Sequence, residues 1–117
     1  MPTKDKMVNE LSPRVAKIAD EVKRRILQTV QPQRVLLFGS AARGEMTPDS
    51  DLDVLVIVPG PVHRRQIEQH IYASLRGLHF PIDVIVATEE DIEKYGDRIG
   101  TIYRPALREG KVLYEHQ

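Results

Sequence analysis

A chain of 117 residues, 41% hydrophobic and 29% charged, is sized and balanced for one globular domain over residues 1–117, with no room for a second recognition domain of ordinary size. Its 17 Lys and Arg offset its 17 Asp and Glu, which argues against a protein built to neutralise nucleic-acid phosphates, so no direct DNA binding is expected. Cysteine is absent, which excludes disulfides and thiolate metal sites, and no signal-peptide core or membrane-length apolar run is present, so the cytoplasm is the expected location.

Ser12-Pro13 reads as an N-cap followed by proline at the first helical position. Val15, Ile18, Val22, Ile26 and Val30 recur at spacings of three and four among Lys17, Asp20, Lys23 and Arg24. That pattern predicts an amphipathic helix to about Thr29, ended by Gln31-Pro32-Gln33. Arg34 to Phe38 is a short apolar run stopped by Gly39-Ser40, hence a strand. A brief helical turn over Ser40 to Arg43 and a loop carrying Gly44, Pro48, Asp49 and Ser50 follow. Asp51 to Val58 is β-branched and apolar beyond its two acids, so it reads as a buried strand broken by Pro59-Gly60-Pro61. Val62 to Arg76, with Ile67, Ile71 and Leu75 four apart, predicts a second long helix with Gly77 as its C-cap. Pro81 to Ala87 is a third strand, and Thr88 caps a short acidic helix over Glu89 to Tyr95. Ile99 to Leu107 reads as a last helical segment ended by Gly110, and Lys111 to Tyr114 as a closing edge strand. The order predicts an α/β (α+β) domain: a small mixed β-sheet flanked by helices.

Chemistry concentrates where the first strand ends and the second begins. Side chains alternate along a strand, so Asp51 and Asp53 project from one face. Two carboxylates on one face repel unless a cation lies between them, and Mg²⁺ prefers carboxylate, phosphate and water oxygens. Gly39 lets the backbone approach a phosphate, Ser40 offers a hydroxyl, and the turn after it aims N–H groups outward. A polyphosphate bridged by Mg²⁺ suits both halves. Asp83, alone among apolar residues of the third strand, needs a partner there, and the same metal centre is the economical one. Three carboxylates can hold two metals about 4 Å apart, with Asp83 placed to take the nucleophile's proton.

The run Phe38-Gly39-Ser40-Ala41-Ala42-Arg43-Gly44 followed by Ser50-Asp51-Leu52-Asp53 resembles the DNA polymerase beta superfamily of nucleotidyltransferases. More narrowly it is similar to the minimal nucleotidyltransferases, the MntA-like antitoxins, and the likeness extends through Ala106 to Tyr114. The resemblance implies the nucleotidyltransferase fold, two Mg²⁺ ions as cofactor and ATP as substrate. It assigns Gly39 and Ser40 to the triphosphate, and Asp51, Asp53 and Asp83 to metal binding and catalysis. It also implies a partner, a HEPN-domain toxin RNase that receives AMP on a tyrosine. Acceptor identity and base preference lie outside the motif itself. Two other functions compete: a binding module that silences its partner by occlusion, and a small-molecule nucleotidyltransferase of the aminoglycoside type. The intact trio of acids weighs against the first, and the lack of residues for a substrate-gripping domain weighs against the second.

Several residues stay open at this stage. Arg43 either reaches the triphosphate as a nucleotide-binding residue or pairs with Asp49 or Asp51 to brace the loop. Ser50 reads as a brace of the turn, and Glu45 and Asp49 as solvated acids. His63 and His70 lie seven apart on one helix without a third ligand. Arg64, Arg65 and Arg76 read as a solvated face, and Tyr72, Tyr95, Tyr103 and Tyr114 as half-buried packing residues.

Overall fold

The structure is a computed structural model and describes residues 12–47, 49–98, 101 and 103–116. Its elements are α1 (Pro13–Thr29), β1 (Arg34–Phe38), β2 (Leu52–Val58), α2 (Arg64–Ser74), β3 (Ile82–Thr88), α3 (Glu89–Tyr95), α4 (Tyr103–Glu109) and β4 (Lys111–Glu115). The first helix starts as its sequence dictates: Ser12 Oγ accepts the Val15 N–H at 3.2 Å, with Pro13 inside the first turn. Helix α2 runs two residues shorter at each end than its apolar pattern suggests. It opens after His63, whose side chain makes no capping bond, and it closes at Leu75, where the backbone leaves helical geometry ahead of Gly77 at φ +88. Arg25 of α1 completes that end by donating from Nη1 to the carbonyls of Ser74 and Arg76, at 3.1 and 2.9 Å. The residues from Ser40 to Arg43 form hydrogen-bonded turns rather than a helix. The expected start of the last helix at Ile99 lies outside the described residues; α4 itself begins at Tyr103.

The four strands form one mixed sheet in the order β3-β2-β1-β4. β1 pairs antiparallel with β2 and β4, and β2 pairs parallel with β3 through the α2 crossover. Alternation sorts the side chains to two faces. Val35, Leu37, Val54, Val56, Val84 and Val86 pack under α1 and α2 with Val22, Ile26 and Ile71. Leu36, Phe38, Leu55, Ile57 and Ala87 face Ala106 of α4, with Ile92 of α3 packed alongside. Burial of both faces explains the nearly unbroken apolar run of β2. This topology brings the C-terminal end of β1 and the N-terminal ends of β2 and β3 to one end of the sheet.

Candidate active site

That end of the sheet collects the acids. Asp53 is directly paired with Asp83 across the parallel β2–β3 ladder and with Phe38 across the β1–β2 ladder. Parallel neighbours stand about 4.8 Å apart and point to the same face, so the two carboxylates share the α3/α4 side of the sheet. Asp51 lies two residues before Asp53, just ahead of β2, and is exposed. Asp53 itself is half-buried, and its carboxyl is raised above its ordinary pKa. Burial is the largest cause, the neighbouring charges of Asp83 and then Asp51 add to it, and Arg43 opposes it. The three acids therefore feel one another.

Gly39 meets this cluster at close quarters. Its φ is +71, in the left-handed region, and a Cβ added there would overlap Asp53 Oδ2 and stand 3.1 Å from Asp53 Cγ. The glycine is thus seated against the carboxylate. The turn that follows is closed by Arg43 N–H on the Gly39 carbonyl (3.2 Å), Gly44 N–H on Ala41 (3.2 Å) and Glu45 N–H on Ser40 (2.8 Å). The N–H groups that open such a turn have no acceptor within it. Ser40 Oγ is half-buried and directed at Met46 Sδ, 3.3 Å away, a weak contact that a stronger acceptor can displace.

Two expectations change. Asp83 is not enclosed in a buried strand: β3 is an edge strand, Asp83 is exposed, and its Oδ1 accepts a hydrogen bond from Tyr72 Oη at 3.3 Å. The partner that its apolar neighbours seemed to demand is a tyrosine, together with solvent. Arg43 pairs with neither Asp49 nor Asp51. Its Nε sits 2.6 Å from Glu45 and its Nη1 3.5 Å from Glu109 of α4, all of them largely exposed. Among the described residues, no three His, Cys, Asp or Glu side chains come together closely enough to enclose a metal ion. Three carboxylates that repel one another spread apart, and Mg²⁺ is ordinarily held by one or two carboxylates plus substrate phosphates rather than by a complete protein cage. His63 and His70 are both exposed on or beside α2 and belong to no such group.

Other residues fall into structural places. Ser50 Oγ accepts the Thr47 N–H at 2.9 Å and braces the turn before β2. Arg64 pairs with Asp91 at 3.1 Å. Tyr103 and Tyr114 pack against the two cores, and Arg98 lies over the ring of Tyr95. Tyr72 is the neighbour of Asp83 that the sequence conceals. Its hydroxyl accepts the Val84 N–H at 2.8 Å, and burial followed by the Asp83 charge raises its pKa above the ordinary value, against the pull of Val84. The one clue is its place four residues after Glu68, on a helix with few buried positions.

Residues 15–107 match the family profile described as a nucleotidyltransferase domain. The chain belongs to this nucleotidyltransferase family. It is 35% identical over 83 residues to a Methanocaldococcus jannaschii protein named "putative protein adenylyltransferase MJ0604", spanning 70% of this chain and 78% of that one. Among solved structures it superposes on a nucleotidyltransferase from Sulfolobus solfataricus, so described as putative, with a TM-score of 0.63 and 21% identity, covering 88% of this chain and 82% of that one. A toxin–antitoxin structure with AMP-PNP aligns with a TM-score of 0.58 and 18% identity, covering 85% of this chain and 74% of that one. At such identities the two structures speak for the fold. The mixed sheet flanked by helices is the nucleotidyltransferase fold, and the chain is a nucleotidyltransferase enzyme.

Proposed function

We propose that this nucleotidyltransferase is an antitoxin that moves AMP from ATP to a tyrosine hydroxyl of a HEPN-domain toxin RNase, with Mg²⁺ as cofactor. The observation that carries the reading is the junction of Gly39, Asp53 and Asp83: a carboxylate pair in register on neighbouring strands, abutted by a glycine that leaves no Cβ between them and an incoming phosphate. The donor set fits a hard divalent cation, because every group in it is a carboxylate and Asp53 already holds its proton more tightly, through burial first and then the field of Asp83 and Asp51. Asp51, Asp53 and Asp83 would hold the metal, which when bound would supply charge neutralisation for the triphosphate and the attacking oxygen. The N–H groups and hydroxyl at Gly39-Ser40 cradle the phosphates, and Arg43 adds positive charge at the rim. The acceptor tyrosine oxygen forms its bond to the α-phosphorus, the bond to the β-phosphate oxygen breaks, and pyrophosphate departs. Asp83, the exposed member of the pair, stands where it can take the phenolic proton of a group whose unperturbed pKa is about 10.

The relative named for protein adenylylation and the toxin–antitoxin structure with AMP-PNP support the choice of acceptor class and nucleotide. In this reading residues 1–117 work as one domain that borrows its acceptor surface from the partner, in the cytoplasm where ATP is supplied. Asp51→Asn and Asp83→Asn proteins are then expected to bind the toxin and yet to leave it active. Toxin modified by the unaltered protein should stay inactive after the antitoxin is removed. Full neutralisation by both variants, with no change in toxin mass, would replace transfer by occlusion.

A further inference from the structure

β3 lies at one edge of the sheet, so one row of its backbone N–H groups points away from β2. Helix α2 meets that row with two side chains one turn apart. Tyr72 Oη accepts the Val84 N–H at 2.8 Å, and Glu68 Oε2 accepts the Val86 N–H at 3.3 Å. Four helical residues rise about 6 Å and two strand residues span about 6.6 Å, so the two spacings match and set the helix in register along the strand. Farther on, Asp91 Oδ2 takes the Thr88 N–H at 3.0 Å. Edge strands are commonly blunted by such cover, and for Glu68 and Asp91 that role suffices.

Tyr72 does something more. Having accepted from Val84, its hydroxyl donates to Asp83 Oδ1 at 3.3 Å. Asp83 is exposed at the sheet edge, so close packing does not set its rotamer. An aspartate in that position turns freely unless a hydrogen bond selects one orientation. We infer that Tyr72 is a positioning residue for the active site: anchored on the Val84 N–H, it engages Oδ1 of Asp83 and so fixes the orientation in which that carboxylate would meet a cation. The inference rests on the metal-site reading above, and it adds a residue from a different element to that site. Groups that orient metal-binding carboxylates through hydrogen bonds typically change affinity or activity by about 10–100-fold when removed.

The test measures binding without turnover. Mn²⁺ is titrated into the full chain by electron paramagnetic resonance, in the presence of a non-hydrolysable ATP analogue. Tyr72→Phe should weaken nucleotide-dependent Mn²⁺ binding about 10-fold or more. Glu68→Ala removes the neighbouring edge acceptor without touching Asp83, and its Mn²⁺ affinity should stay within about twofold of the parent. In an Asp83→Asn background, Tyr72→Phe should add no further loss. Parent-like affinity in Tyr72→Phe, or equal losses in Tyr72→Phe and Glu68→Ala, would overturn the inference and leave the metal site standing. No nucleotide-dependent Mn²⁺ binding by the parent protein would overturn the metal site and the inference together. Should Tyr72→Phe fail to fold, 3-fluorotyrosine at position 72 gives a second readout. Its fluorine resonance should move when Mg²⁺ and the analogue bind, and should not move in Asp83→Asn. A resonance indifferent to ligand in the otherwise unaltered protein would count against the inference.

Discussion

Gly39→Ala isolates the contact between the Gly39-Ser40 turn and the Asp53 carboxylate, the proposed phosphate cradle and the proposed catalytic acid. The backbone at Gly39 has φ +71, a conformation that costs an L-residue roughly 1–2 kcal/mol. The added methyl would also stand 3.1 Å from Asp53 Cγ and overlap Oδ2. Carbon atoms in good contact lie about 3.5–4.0 Å apart, so the Asp53 side chain must retreat by roughly 0.5–1 Å or turn about its own torsions. Turning costs little in folding, because the clashing atom is the end of a half-buried side chain. Stability should therefore fall mainly by the backbone strain, a thermal midpoint lower by on the order of 5–10 °C for a domain of this size. Catalysis should suffer far more, since a misplacement near 1 Å costs about 100-fold. Differential scanning fluorimetry and transfer of α-phosphate label to the partner, run on one preparation, read the two effects side by side. Gly39→Asn sharpens the comparison: asparagine tolerates positive φ, so it should recover part of the stability and none of the activity. A folded Gly39→Ala protein with activity within about threefold of the parent would refute the contact as a catalytic requirement.

Asp53→Asn should abolish transfer and yet stabilise the metal-free protein, a trade expected of strained active-site groups. The sign follows from the raised pKa of Asp53: the fold holds that proton more tightly than the unfolded chain does, so stability falls as the pH rises from about 3.9 through the raised value and stays lower above it. Added Mg²⁺ should offset that deficit in the parent and leave Asp53→Asn, which lacks it, unchanged, as thermal melts between pH 3 and pH 8 would show. Arg25→Met should cost about 1–2 kcal/mol in urea unfolding, because the carbonyls of Ser74 and Arg76 lose a charged donor at the end of α2. Arg43→Ala should leave stability essentially unchanged in urea unfolding, its ion pairs being solvated, while lowering nucleotide affinity measurably by calorimetry.

What could be read from the chain divides along local and non-local lines. The start of α1 follows from Ser12 and Pro13, and the place of Asp53 at the head of a buried strand from the apolar run behind it, because each depends on neighbours in sequence. The apolar run through Val84 and Val86 suggested a strand covered all round, and its middle is indeed buried between α2 and the far face. That β3 is nonetheless an edge strand depends on strand order, which alternation does not encode. Asp83 accordingly reads as trapped when it is exposed. The same cause hides Tyr72 and Glu68: their spacing of four marks one helical face, but only the tertiary arrangement shows that this face borders backbone N–H groups rather than water alone. Of the two readings of Arg43, the triphosphate contact stays with the proposed function, and the brace to Asp49 or Asp51 gives way to Glu45 and to Glu109, which arrives from α4 near the other end of the chain.

Intact-mass spectrometry of the proposed toxin partner tests the central claim most directly. The toxin is incubated with the unaltered protein, ATP and Mg²⁺, and in parallel with Asp53→Asn protein. The account predicts a toxin heavier by one or more adenylyl groups, mapped to a tyrosine, only with the unaltered protein and only when divalent metal is present. A toxin silenced at unchanged mass, or one modified equally by Asp53→Asn, would contradict it.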